Sequence, residues 1–235
     1  MDNWEQSEAR ERLAHSLQQN CPDFFDSDVT LSWQAYGSGR TYDATLQAAA
    51  PASFRLALVD PLGRPQMIFV SNAHRFTLAD NYRAEGYTGP VGGSLMQKYL
   101  PANVAREELF FWLTGRPGIT QKDVIGVDED RESGAYWYRL QRKNMREYLI
   151  LGPEQVERRI MQNSSGEIIL DVRYAGYREA ASGCLRPGEL VVTGKGLPAE
   201  FRLVFTKFYP GQKPDQRFFE LTLPPHFTLK HPRAP

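Results

Sequence analysis

Residues 54–70 read FRLALVDPLGRPQMIFV, two apolar runs joined by a short turn with a leucine at its centre. Pro61 suits the first central position of a type I turn and Gly63 suits its exit, so Leu62 is predicted at the tip of a hairpin. Turns normally carry polar residues, and a large aliphatic side chain at a tip calls for an explanation. The stretch therefore predicts an antiparallel hairpin with an exposed leucine.

Alternation of apolar and other residues, which is the period of a half-buried strand, recurs on both sides of this hairpin. It covers roughly ten segments, separated by turn sequences rich in Gly, Pro, Asn and Asp. The predicted fold is mainly β, a single antiparallel sheet with short connections and no βαβ alternation. The apolar residues that we single out on its first strands are Trp33, Phe54, Leu56, Leu58, Met67 and Phe69.

Two helices are predicted beside the sheet. Residues 4–20 predict an N-terminal helix, with Asp2 or Asn3 as N-cap and an apolar stripe made by Ala9, Leu13 and Leu17. A second helix is predicted within residues 100–117, LPANVAREELFFWLTGRP, from its N-cap Asn103 to Gly115 just beyond its end. The residues in its second half are apolar on all sides, so both sides are expected to be covered: Leu109, Phe110, Phe111, Trp112 and Leu113.

Charge and length limit the function classes. The 28 Lys and Arg balance the 28 Asp and Glu, so nucleic-acid binding, which needs summed positive charge, is not expected. No stretch approaches the ~18 continuous apolar residues of a membrane span. A cytoplasmic protein and an exported protein given without its signal segment both stay open. One structural domain is expected, with residues 1–27 as a helix and leader and residues 28–235 as the sheet domain.

Motifs for catalysis or metal binding are missing from the sequence. The four histidines have no ligand spacing, no nucleophile elbow occurs, and the acidic stretch GVDEDRES at 126–133 lacks the calcium-loop spacing and is expected to be a solvated loop. We therefore expect no enzymatic activity, no metal and no cofactor. Cys21 and Cys184 are either unpaired thiols, the favoured interpretation, or one disulfide if the protein is exported.

An apolar sheet face beneath an all-round apolar helix has two interpretations. It is either an ordinary packed core or a hydrophobic cavity with a lid, and periodicity alone favours the core because it cannot show a void.

Two motifs together resemble the LolB family of outer-membrane lipoprotein receptors. The first is the turn Asp60-Pro61-Leu62-Gly63 between apolar strands, and the second is the helix pattern formed by Leu109, Trp112, Leu113, Gly115, Pro117 and Gly118. The resemblance extends over about residues 28–230 and implies a hydrophobic cavity with a lid, not an ordinary packed core. It implies an unclosed half β-barrel of about ten or eleven strands with a helical lid.

The same resemblance implies a receptor that accepts lipoprotein acyl chains from a periplasmic LolA-like carrier and helps insert them into outer-membrane lipid. Pro61, Leu62 and Gly63 would form the insertion loop. The implied cavity and lid residues are Trp33, Phe54, Leu56, Leu58, Met67, Phe69, Leu109, Phe110, Trp112 and Leu113. A monomer on the periplasmic face of the outer membrane is expected, with an envelope module that holds another hydrophobic ligand and has no sorting role as the alternative.

Two features differ from the family pattern. Family members are anchored through an N-terminal lipidated cysteine, but Cys21 follows the polar HSLQQN and lacks a lipobox. An anchor is therefore expected either to have been removed with a signal segment or to be absent from this homologue. The segment 72–95 is also longer and richer in glycine than the family's equivalent.

Overall fold

Alternating sequence patterns become one large sheet in the computed structural model, which describes residues 3–35, 37–91, 93, 108–142, 145–180, 184–195, 197 and 199–230. The helices are α1 Asn3–Leu17 and α2 Leu109–Thr114, with short 3-10 helices at Gln121–Asp123 and Gln216–Phe219. The strands are β1 Phe24–Ala35, β2 Ser38–Ala49, β3 Ser53–Val59, β4 Pro65–Ser71, β5 Arg75–Asp80, β6 Glu85–Pro90, β7 Val124–Asp130, β8 Ala135–Arg142, β9 Met145–Leu151, β10 Val156–Gln162, β11 Ile168–Ala175, β12 Arg178–Glu179, β13 Leu185–Arg186, β14 Glu189–Thr193, β15 Glu200–Tyr209 and β16 Thr228–Lys230.

Within the described residues, the large sheet has fourteen strands in the order β16-β6-β5-β4-β3-β2-β1-β15-β14-β11-β10-β9-β8-β7. Neighbouring strands are antiparallel except β16, which pairs parallel with β6. The outermost strands, β16 and β7, do not pair with each other, so the barrel is unclosed. The predicted mainly β, half-barrel fold with a helix over it is confirmed.

The strand number is higher than the ten or eleven expected. The acidic stretch interpreted as a loop contributes β7, whose Asp128, Glu129 and Asp130 lie in an edge strand. Acidic side chains on an edge strand discourage pairing with another chain, which explains charge at this position. Within the glycine-rich segment 72–95, residues 75–90 form the β5–β6 hairpin.

One strand that the alternation predicts, through Phe219, Leu221 and Leu223, does not form. Phe219 instead ends a 3-10 helix whose N-cap Asp215 accepts a hydrogen bond from the backbone N–H of Arg217. Phe219 is buried against Ala49 and Val70, apart from the main core. The tail PPHFTLKHPRAP predicts a short final edge strand, and β16 is that strand.

Both helices pack on the main core. Ala9 and Leu13 of α1 are buried as predicted, Leu17 packs against the core, and the hydroxyl of Tyr138 donates to the carbonyl oxygen of Ala9 at 2.7 Å. Asp2, the alternative N-cap, lies outside the described residues, and the sheet begins at Phe24, before the expected boundary at residue 28.

Gly115 ends α2 as predicted. Its φ of +63° is left-handed, and a Cβ there would lie 2.2 Å from the hydroxyl oxygen of Tyr177, so a side chain is excluded. The predicted N-cap Asn103 lies outside the described residues.

Cys21 and Cys184 form a disulfide, so the favoured interpretation of two unpaired thiols is wrong. Their Cα atoms are 5.2 Å apart, and the bridge joins positions separated by 163 residues. It ties the segment just before β1 to the start of β13. Such bridges persist in oxidising compartments, which include the bacterial periplasm.

Candidate functional site

A cavity of about 350 Å³ lies between α2 and the concave face of the sheet. Among the described residues, every side chain that lines it is a leucine, valine, phenylalanine or tryptophan. A groove of about 480 Å³ between α1 and β7 is larger, but Arg10, Gln121 and Lys122 contribute to its lining. The cavity under α2 therefore suits a fully apolar ligand better than this groove does.

Half of the predicted cavity and lid residues line this space: Phe54 and Leu56 of β3, and Leu109, Trp112 and Leu113 of α2. The remaining lining residues come from strands that the sequence did not connect with the lid and, for Leu197, from the connection between β14 and β15: Leu31, Leu46, Leu170, Val172, Leu190, Val192, Leu197, Phe201 and Leu203. Pairing of β1 with β15 supplies the connection, because it sets Leu31 opposite Leu203.

The other five predicted residues lie around the cavity rather than in its lining. Phe110 is buried and contacts Phe25, with ring centres 6.1 Å apart. Trp33 is half-buried and pairs in register with the lining residue Phe201. Phe69 stacks on Phe54 with ring centres 5.3 Å apart.

Leu58 and Met67 continue the apolar face towards the hairpin tip. Leu56 is opposite Phe69 and Leu58 is opposite Met67 in the β3–β4 ladder, so these four side chains share one face of the sheet. Beyond them comes the turn that carries Leu62. A row of apolar side chains thus leads from the cavity towards the tip.

The insertion-loop candidates form a tightly bonded turn. The backbone N–H of Gly63 donates to the carbonyl oxygen of Asp60 at 2.8 Å, and the Asp60 carboxylate accepts from the backbone N–H groups of Leu62 and Arg64 at 2.8 and 2.9 Å. Gly63 has a φ of +77°, which favours glycine. This turn holds Leu62 with 77% of its surface exposed, while Pro61 is also exposed.

A second exposed side chain lies at the same end of the sheet. Tyr82 is 90% exposed in the turn between β5 and β6. The side-chain amide of the neighbouring Asn81 donates to the carbonyl oxygen of Pro65 at 2.7 Å, which joins the two hairpin turns. Arg64 and Arg83 flank the two tips and keep most of their side-chain surface exposed. We call Leu62, Arg64, Tyr82 and Arg83 the hairpin rim.

Charged residues hold the start of α2 against the sheet. Arg142 donates to Glu108 through Nη2 and to Glu147 through Nε, both at 2.6 Å. Arg159 donates to Glu147 at 2.6 Å, and its guanidinium lies 4.3 Å from the centre of the Trp112 ring. Glu147 and Arg159 have fully buried side chains. The lid is thus fixed by an ion-pair cluster directly behind the cavity wall.

Polar atoms without partners lie beside this cluster. Nε and Nη1 of Arg159 and the hydroxyl of Tyr174 have no hydrogen-bond partner within the described part of the chain. Arg159 is opposite the lining residue Val172, and Tyr174 is opposite the lining residue Leu190. Burial raises the pKa of Tyr174, and burial followed by the charge of Glu147 raises the pKa of Glu108. These groups border the apolar cavity.

No protein-family model and no curated protein matches the chain. Three solved structures share its architecture over most of both chains. A LolA superfamily protein from Nitrosomonas europaea has a TM-score of 0.58 at 12% identity, covering 89% of this chain and 96% of that one. This is a LolA-like fold.

Two further structures agree with this assignment of the fold. A domain assigned to an outer membrane lipoprotein-sorting protein of Vibrio parahaemolyticus has a TM-score of 0.59 at 10% identity and covers 91% of this chain and 94% of that one. A DUF1329 family protein from Desulfovibrio piger has a TM-score of 0.58 at 9% identity, with coverages of 91% and 96%. At such identities the likeness concerns the LolA-like fold alone.

Within the described ranges, no helix is long and apolar enough to cross a membrane. The same residues contain no group of three or more His, Cys, Asp or Glu side chains that could hold a metal ion.

One feature of the sequence could have indicated the ion-pair cluster, namely the position of two charged residues in the alternation of β9 and β10. Glu147 and Arg159 occupy the same strand phase as the buried Leu149 and Met161, so they place charge on the apolar side of the LolA-like sheet. A charged residue in a buried phase indicates a paired or functional group.

Proposed function

We propose that the protein is a LolB-like receptor that accepts the acyl chains of lipid-modified proteins in the cavity under α2 and helps insert them into the outer membrane. The apolar lining that the described residues give this cavity carries the proposal, because an acyl chain needs no polar partner along its length. A LolA-like fold, found also in a lipoprotein-sorting domain, supports it. On this proposal the protein is not an enzyme and works as a monomer at the periplasmic face of the outer membrane.

Energetics favour direct transfer between apolar sites. Each buried CH₂ contributes ~0.8 kcal/mol, so release of one ~16-carbon chain into water would cost on the order of 12 kcal/mol. Passage from a LolA-like carrier to this cavity, and then to a bilayer, exchanges one apolar environment for another. A difference of ~1.4 kcal/mol in binding free energy between successive sites sets a tenfold preference for the tighter site. The direction of transfer therefore needs no nucleotide hydrolysis.

The head of an acylated ligand also has partners on this proposal. The unpaired nitrogen atoms of Arg159 and the hydroxyl of Tyr174 are donors behind the wall formed by Trp112 and Val172. Ester and amide carbonyl oxygens accept such donors. A ligand that moves Trp112 aside would satisfy groups that are otherwise buried without partners.

The hairpin rim suits contact with a bilayer. Leu62 would enter the apolar layer, Tyr82 would lie at the headgroup level, and Arg64 and Arg83 would attract anionic lipid. Burial of one leucine contributes only ~1.5–3 kcal/mol, so a separate lipid anchor would hold the protein at the membrane. The row through Leu58 and Met67 offers an apolar path from the cavity to this contact.

A cavity-filling substitution tests the binding step. Val192→Trp places a large side chain in the cavity, whereas Val191→Trp alters the adjacent residue, which does not line it. Fluorescence of an environment-sensitive apolar dye should rise with wild type and Val191→Trp, fall when an acylated peptide is added, and be weak with Val192→Trp. Absence of dye uptake by the folded wild type would eliminate the cavity function.

A charge at the hairpin tip tests the insertion step. Leu62→Glu should leave the fold and dye binding unchanged but reduce delivery of a fluorescent lipopeptide to liposomes. Ile125→Glu is the matched control, because Ile125 is 63% exposed on β7. Equal delivery by both variants would remove Leu62 from the mechanism while leaving acyl-chain binding intact.

The second candidate is an envelope module that holds a different hydrophobic molecule. The cavity volume of about 350 Å³ favours it, because this lies near the lower end of the ~300–1,000 Å³ range of ligand sites and suits a single chain. Native mass spectrometry distinguishes the candidates. A retained free lipid identifies the binding module, whereas exchange of lipopeptide with a LolA-like carrier identifies the receptor.

A further inference from the structure

A pocket of about 170 Å³ opens at the end of the sheet opposite the hairpin rim, where β1 begins. Pro22, Phe25, Phe208 and Pro210 contribute apolar walls, and Arg186 forms part of the lining. Phe25 also contacts Phe110 of α2, so it lies between this pocket and the lid. We call this space the arginine pocket. It is distinct from the cavity under α2, which we call the acyl cavity after its proposed ligand.

Arg186 is an almost fully buried cation, with 2% of its surface exposed. Its Nη2 donates to the carbonyl oxygen of Pro22 at 2.9 Å, and its guanidinium lies 5.3 Å from the centre of the Phe25 ring. Its Nη1 has no hydrogen-bond partner in the described part of the chain. A buried charge is normally paired, and a buried donor is normally satisfied. This guanidinium therefore has capacity for an anion.

The surrounding charges do not supply that anion. Burial, followed by the charge of Arg116, lowers the pKa of Arg186 to about 10, and Asp23 acts in the opposite direction. However, the Asp23 carboxylate already pairs with Nη1 of Arg116 at 3.0 Å and is largely exposed. Asp28, a carboxylate near the pocket, accepts a hydrogen bond from the hydroxyl of the lining residue Tyr209 at 2.6 Å.

A second guanidinium stands next to Arg186. Arg178 is directly opposite Arg186 in the β12–β13 ladder, so both side chains lie on one face of this short hairpin. The Arg178 guanidinium lies 5.5 Å from the centre of the Phe208 ring, and Phe208 lines the pocket. Like charges placed opposite each other are unfavourable, and a bound anion would remove this repulsion.

We propose that the arginine pocket binds a phosphate group, either free or as the monoester of an apolar molecule. Within the described residues, Nη1 of Arg186 is the donor left without a partner, while Nη2 of Arg178 donates to the carbonyl oxygen of Phe205. The free donor and the two positive charges together match the oxygen atoms and the double negative charge of a phosphate better than they match a single carboxylate. The apolar walls keep competing water away and suit an apolar group attached to the phosphate. The site does not depend on the acyl cavity.

Thermal unfolding and calorimetric titration at fixed ionic strength test the proposal, with inorganic phosphate, dihexanoyl phosphatidic acid and acetate as probes. Phosphate-bearing probes should raise the Tm of the wild type, whereas acetate should not. Arg186→Met should melt no lower than wild type without ligand, because it removes an uncompensated buried charge. It should bind the phosphate probes about tenfold or more weakly, since a charged hydrogen bond is lost.

Arg202→Gln is the control, because Arg202 pairs with Glu189 on an exposed face of β14 and β15 and does not line the pocket. Arg178→Gln changes an exposed residue and provides the test if Arg186→Met does not fold. Binding of both phosphate probes identifies free phosphate as sufficient, and binding of phosphatidic acid alone identifies a lipid headgroup; either result supports the site. No binding of either probe, an equal effect of acetate, or unchanged affinity in both pocket variants overturns it.

Discussion

The Cys21–Cys184 bridge should supply a large part of the protein's stability. It closes a loop between positions separated by 163 residues, and the chain-entropy relation gives about 5 kcal/mol for a loop of that length. Typical domains have unfolding free energies of about 5–15 kcal/mol, so the double substitution Cys21→Ser and Cys184→Ser should remove a third or more of the stability.

Urea unfolding at 25 °C, followed by tryptophan fluorescence, measures this loss. Dithiothreitol should destabilise the wild type by a similar amount and leave the double variant unchanged, which separates reduction of the bridge from other effects of the reagent. A loss below about 1 kcal/mol would refute the argument that the bridge acts by restricting the unfolded chain.

The same double variant distinguishes the stability of the whole protein from ligand binding in the cavity. The bridge flanks Pro22 and Arg186, which contact each other in the arginine pocket, and it lies far along β1 from the hairpin rim. At low temperature, where the variant is still folded, dye binding in the cavity should therefore persist. If dye binding and stability disappear together under folding conditions, the cavity depends on the bridge and this reasoning is wrong.

Four further predictions concern single groups. Tyr138→Phe should lower the unfolding free energy by ~1–3 kcal/mol, because the buried carbonyl of Ala9 loses its donor, and the urea midpoint measures this loss. Tyr174→Phe should leave the urea midpoint unchanged, because the hydroxyl has no partner within the described residues. In ligand titrations this variant should bind an acyl ester more weakly but an alkane equally well. A hydrogen bond from the backbone N–H of Arg64 is the main cause of the lowered pKa of Asp60. The Leu62 turn should therefore be fully ordered above the ordinary aspartate pKa and lose its order as the pH falls through the lowered pKa of the folded state, which the Leu62 amide resonance measures. A turn that stays ordered below that lowered pKa would contradict the prediction. Gly115→Ala should destabilise the protein by more than ~1 kcal/mol, because it combines a left-handed φ with a clash against Tyr177, and a midpoint equal to wild type would show that the end of α2 can move.

Local rules predicted the parts of the site that depend on neighbouring residues. Proline and glycine chemistry at Pro61 and Gly63 was enough to place Leu62 at a tip, and the glycine rule was enough to end α2 at Gly115. Both outcomes depend on φ values and hydrogen bonds that form within a few residues.

Long-range pairing determined the parts that the sequence did not predict. Leu190, Val192, Phe201 and Leu203 alternate visibly in the sequence, but they reach the cavity only because β15 pairs with both β1 and β14. No local rule specifies that partnership. The disulfide was left open for the same reason, since a separation of 163 residues gives no hint of a Cα distance of 5.2 Å.

The placement of charge follows from the cost of burying it. Glu147 and Arg159 lie behind the wall of the acyl cavity as a mutually bonded pair. The uncompensated Arg186 lies in the arginine pocket, on the other side of Phe25 from α2. An unpaired guanidinium lining the acyl cavity would have to lose its hydration whenever a chain entered, which would oppose binding. Separation of the two sites along β1 would allow one protein to bind an apolar chain and an anion without either interfering with the other.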